Sequence, residues 1–117
     1  MTSKIYLVCL LKCDTPTFSG AFKIEVPGDY DTFGLKKLLQ ASPQSPSCLR
    51  NVGEADLTLY RVSIEDGDIT ALQEAMRLID QPGAEGLGLW ETIREVFPSP
   101  AARHVHLIIK IRGKLPS

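Results

Sequence analysis

Along residues 4–13 almost every position is apolar. Ile5, Leu7, Cys9 and Leu11 fall on one face of an extended chain, and Tyr6, Val8 and Leu10 on the other. A strand that is apolar on both faces belongs in the middle of a sheet. After a turn with Asp14, Pro16, Ser19 and Gly20, the run from Ala21 to Val26 alternates, with Phe22, Ile24 and Val26 opposite Lys23 and Glu25. That is a half-buried strand, and the two runs read as a hairpin ended by Pro27-Gly28. Asp31 or Thr32 is predicted to cap a helix over residues 32–40, with Leu35, Leu38 and Leu39 as its apolar positions and Pro43 as its stop. Residues 41–55 read as a long loop. Leu57 to Val62 predicts a third strand.

The period then changes. Ile69, Leu72, Met76 and Ile79 recur at helical spacing behind a cap at Asp68 or Thr70, up to the break at Gln81-Pro82-Gly83. Leu89, Trp90, Ile93, Val96 and Phe97 predict a second helix that ends at Pro98. From Val105 to Ile111, Val105, Leu107, Ile109 and Ile111 alternate with His106, Ile108 and Lys110, the pattern of a last strand. The order is hairpin, helix, strand, two-helix insert, strand. With the first and last strands paired in the middle, the second and third fall at the edges. That arrangement is an α+β fold, a ubiquitin-like β-grasp with a four-stranded mixed sheet and one main helix.

Composition fits one domain spanning residues 1–117. The chain has 117 residues, 44% hydrophobic and 23% charged, enough for a single core without disulfide or metal staples. With 13 Lys+Arg against 14 Asp+Glu, the net charge is −1. No strong field steers it to nucleic acid or an anionic membrane. Lys110, Arg112 and Lys114 form the one local basic cluster and read as solvated strand ends, so no nucleic-acid partner is expected. Cys9, Cys13 and Cys48 make an odd set, which argues against a disulfide framework. No transmembrane run or signal peptide is readable, and on these grounds alone the chain reads as cytoplasmic.

Candidate chemistry is sparse. His104 and His106 lie two apart in a strand, which suits zinc, but two further ligands lack a pattern, so they read as exposed strand histidines. Gly83, Gly86 and Gly88 miss the G-x-G-x-x-G order and read as a flexible joint. Glu65, Asp66 and Asp68 lack the order of a cation loop and read as a helix start. A Cys–His nucleophile pair stays open, with Cys9 expected to be buried and inert. Trp90 and Phe97 are expected in the core. No metal or cofactor is expected. The remaining signal is the outer sheet face, where Tyr6, Val8, Leu10, Tyr60, His106, Ile108 and Lys110 make a surface too apolar to be merely solvated. It is either an open protein-binding face or the seat of the helices of residues 68–97.

Gly20 to Pro27 and His106 to Gly113 are similar to the second and last strands of ubiquitin-like proteins. Nearly the whole chain resembles the N-terminal domain of Crinkler effectors in its fungal form. Three blocks carry this: Lys4 to Leu11; Leu57-Thr58-Leu59-Tyr60-Arg61-Val62-Ser63, at the place of the family's L-x-L-F-L-A-K segment; and Leu89 to Pro100 followed by Val105-His106-Leu107-Ile108-Ile109. The resemblance implies a non-catalytic leading domain that binds unidentified protein partners and helps deliver a secreted effector into host cells. It assigns the delivery segment to Leu57, Leu59, Tyr60, Arg61, Val62 and Ser63. Tyr60 stands for the family's Phe, and Arg61-Val62-Ser63 for its Leu-Ala-Lys. Family members usually continue into a C-terminal effector domain, so this chain, which stops at Ser117, is expected to be a leading domain alone or a short member. The alternatives are a free-standing ubiquitin-like adaptor or modifier, which Lys114 after Gly113 disfavours, and a small metal-dependent hydrolase.

Overall fold

The sheet is mixed, in the order β2 (Phe22–Pro27), β1 (Lys4–Leu11), β4 (His104–Ile111), β3 (Leu57–Glu65). β1 and β4 run parallel in the middle, with Cys9 beside Leu107, Leu10 beside Ile108 and Leu11 beside Ile109. β2 and β3 flank them antiparallel. This is the α+β architecture expected, consistent with a β-grasp. The structure, a computed structural model, describes residues 4–11, 21–43, 56–81, 86–88, 90–100 and 102–111. Cys13, Cys48, Gly83, Leu89, the turn at 14–20, most of the 41–55 loop and residues 112–117 lie outside them.

One sheet face carries helix α1 (Thr32–Ala41). The Asp31 carboxylate caps it by accepting the Gly34 N–H at 2.8 Å, and Pro43 follows its end. Leu35 and Leu39, one turn apart, are fully buried against Leu7, Cys9, Ile24, Val26, Leu59, Leu107 and Ile109. Each such leucine contributes about 1.5–3 kcal/mol relative to an exposed one.

The opposite face is also covered. Helix α2 (Ile69–Ile79) starts at Asp68, whose side chain accepts the Ala71 N–H at 3.1 Å. Of the acidic cluster, Asp68 therefore opens a helix as its position suggested, while Glu65 ends β3. Leu72, Met76 and Ile79 pack on Leu10, Ile64, Val105 and Ile108. The domain is three layers, with the sheet between α1 and α2.

Two details depart from the sequence pattern. β3 runs beyond Val62 to Glu65 through a bulge between Arg61 and Ile64, and on the partner strand the alternation slips. Val105 joins the cluster under α2, while the His106 ring stands edge-on to Phe97 of the α1 cluster, 6.5 Å between centroids. An extra residue on one strand re-aims the side chains beside it.

The second predicted helix shrinks to one turn, α3 (Ile93–Val96), closed by a capping box between Thr92 and Glu95. The chain before it is pinned instead to its neighbours. The Leu87 N–H donates to Leu59 O at 2.8 Å, the Thr32 N–H to Glu91 O at 3.1 Å and the Ile93 N–H to Tyr30 O at 2.8 Å. Gly86 is no joint: a Cβ there would stand 2.5 Å from Thr58 Cγ2, so only glycine allows the backbone this near β3. Phe97 is buried as expected, but Trp90, off any helix, is 88% exposed. The expectation of a core Trp90 is therefore corrected. As the single tryptophan of the chain, it should fluoresce like free indole in water and quench freely with acrylamide. Its emission should hold its wavelength through urea unfolding, and a blue-shifted native spectrum would contradict this placement.

Candidate functional site

The seven residues expected on an open outer face are divided by α2. Leu10 and Ile108 are sealed beneath it, Val8 and Tyr60 are half-buried at its margin, and the Lys110 ammonium lies 3.7 Å from Asp80 Oδ1 at its C-terminal end. Tyr6 is open to solvent, 56% exposed. Of the two alternatives for this face, the open one is thus corrected and the other, a seat for the helices of residues 68–97, holds for α2, because Leu72, Met76 and Ile79 take the contacts a partner would have used.

His106 is corrected as well. It is buried, and its Nδ1 accepts the Val8 N–H at 3.0 Å. The ring replaces a backbone carbonyl where the β1–β4 ladder has not yet begun, which requires the proton on Nε2. His104 remains near the surface, its Nδ1 2.8 Å from Ala102 O.

Cys9 is fully buried and desolvation pushes its thiol far up, so it stays protonated and inert as a nucleophile. Among the described residues no three His, Cys, Asp or Glu side chains converge as metal ligands, and no helix is long and apolar enough to cross a membrane.

On β3, the segment aligned with the family's L-x-L-F-L-A-K block splits by role. Leu57 and Leu59 are buried in the α1 cluster. Tyr60 and Val62 pack at the edge of the α2 cluster, while Arg61 and Ser63, at the bulge, are exposed. Arg61 and Ser63 are therefore its most accessible residues.

Where α2 stops short, the sheet keeps an open corner at the start of β1. The Tyr6 hydroxyl donates to Glu25 Oε2 at 2.9 Å, Lys4 lies 3.7 Å from the same oxygen, and the Lys23 ammonium sits 5.8 Å from the Tyr6 ring centroid. The hydrogen bond and charge of Glu25 raise the Tyr6 pKa. A cleft of about 530 Å³ opens between this corner and Arg94, Pro98, Ser99 and Pro100. The sequence pattern singles out Tyr6 but not Lys4, Lys23 or Arg94. Alternation puts Lys23 on the solvated side of its strand and Lys4 falls at the start of β1, where nothing distinguishes them from other surface charges. Arg94 is held near the corner by tertiary contacts without a local signature, among them its own N–H donating to Gly28 O, 2.9 Å away.

A model of the Crinkler effector protein N-terminal domain matches residues 5–110. The chain is also similar to Crinkler effector protein 1 of Rhizophagus irregularis, 29% identical over 107 residues, which is 91% of this chain and 21% of that protein. It therefore spans about a fifth of the curated relative's length. No solved structure matches it. Because the family model covers almost every strand and helix described above, this chain belongs to the Crinkler effector protein N-terminal domain family.

Proposed function

We propose that this domain is a non-catalytic leading module of a Crinkler-type effector, binding protein partners and taking part in delivery of the effector into host cells. One observation carries the reading: the match fills nearly all of this chain but about a fifth of the relative. A module of this size leaves the rest of such a protein for other work. Two features support it. The candidate nucleophile, Cys9, is sealed in the core, and the exposed half of the β3 segment offers a recognition surface built on a rigid strand.

The test is a fusion of residues 1–117 to a reporter, scored for uptake into host cells. The fusion should be taken up, and the double variant R61A/S63A should be taken up several-fold less while its unfolding free energy moves by no more than about 0.5 kcal/mol, as surface changes usually do. Leu57→Ala would also abolish uptake, but through a core loss of about 2–5 kcal/mol. Uptake no better than that of the reporter alone would overturn the delivery role.

A further inference from the structure

Charge at the open corner is lopsided. Lys4 and Arg94 line the cleft with no carboxylate among its described lining residues, and Lys23 stands over the Tyr6 ring on the neighbouring side, in a chain whose net charge is −1. Glu25 is already engaged by the Tyr6 hydroxyl and Lys4. The Arg94 guanidinium makes no ion pair among the described residues. A planar guanidinium is the best-shaped donor for a carboxylate, which it can bind through two parallel hydrogen bonds.

The backbone beside it also has no β4 partner among the described residues. The Val8 N–H points to the β4 side, where it meets His106. Backbone groups two residues apart on a strand point the same way, so those of Tyr6 and Lys4 face that side too. β4 does not pair with them, since its register with β1 begins at Cys9. The cleft of about 530 Å³ lies along this free stretch, walled by Ile5, Tyr6, Pro98 and Pro100, with Lys4 and Arg94 in its lining. Its size is that of a ligand site.

We propose that this cleft docks an acidic, extended segment of a partner protein, with a carboxylate on Arg94 and Lys4, an apolar side chain against Tyr6 and the prolines, and its backbone along Lys4–Tyr6. Strand addition supplies affinity through main-chain hydrogen bonds and specificity through alternate side chains. Three cations are too few for the phosphate tracking that nucleic acids need, and fewer than the clusters of about four to eight that mark anionic membranes. The inference rests on the protein-binding reading above and names its partner chemistry.

The probe is a hexapeptide of alternating Glu and Leu, titrated into the full chain and followed by amide NMR shifts, with the Gln-Leu counterpart beside it. Shifts should centre on Lys4, Ile5, Tyr6 and Arg94. The Gln peptide and the variant Arg94→Gln should each weaken binding by about tenfold, and added salt should weaken it further. Arg94→Gln keeps the backbone bond to Gly28, so its fold serves as its own control through the unchanged remainder of the spectrum. No binding of the Glu peptide, equal binding of both peptides, indifference to Arg94→Gln, or stronger shifts with an oligonucleotide or anionic vesicles would each overturn the proposal. Host-cell uptake of the Arg94→Gln fusion separates the two readings. A domain that delivers its cargo yet ignores the acidic peptide loses this inference and keeps its delivery role.

Discussion

Ile108→Asp should unfold the domain. Ile108 is fully buried between the sheet and α2, in contact with the cluster of Leu10, Leu72, Met76 and Ile79. An aspartate there loses an isoleucine's apolar burial and cavity filling, about 2–5 kcal/mol. It also places a carboxylate where the described cluster is apolar, which costs several kcal/mol more unless the group takes up a proton. Together these approach the whole stability of an ordinary domain, about 5–15 kcal/mol. Far-UV circular dichroism and a urea titration would read the loss. The contrast variant is Tyr6→Asp, on the same face but beyond the reach of α2, which should leave the fold intact. Were Ile108→Asp to fold with a native urea midpoint, α2 would not cover the sheet, and the open-face expectation would stand again.

That pair of residues also marks how far the sequence could be read. Tyr6, Leu10 and Ile108 share one apolar face by the period of two alone, and the pattern says only that something must cover it. It is silent on whether the cover is a partner or a later piece of the same chain. The α2 stripe, Leu72, Met76 and Ile79, needed a seat of its own, and both unsatisfied faces could have been matched. The strand order was legible for a plainer reason: β1 is apolar on both sides and so sits centrally, with the alternating last strand free to pair beside it. Trp90 was misplaced because Leu89 to Phe97 carries a helical spacing, whereas hydrogen bonds with Leu59 and Thr32 hold Leu87 and Glu91 outside the helix. Tertiary hydrogen bonds of this kind override a local period and leave only Gly86 as a trace. The family block on β3 was legible as a pattern, but its division into core residues and exposed ones turns on the bulge at Arg61, which no single residue type announces.

His106→Leu should cost about 1–3 kcal/mol, the penalty for leaving a buried donor without its acceptor. Periodicity sets His106 among the outer-face residues, yet the slip opposite the β3 bulge turns its ring toward Phe97 and brings Nδ1 to the Val8 N–H. Leucine keeps an apolar body against Phe97 but offers nothing to Val8. β4 cannot supply a carbonyl in its stead without lengthening the β1–β4 ladder, which begins at Cys9. The loss should therefore be local before it is global. Val8 amide exchange should accelerate more than that of Leu10, whose N–H faces the same side and whose neighbour Ile108 stays in place, and the urea midpoint should fall at an unchanged slope. A wild-type midpoint together with unaltered Val8 exchange would show that the ring only fills space, and that the parallel ladder holds without it.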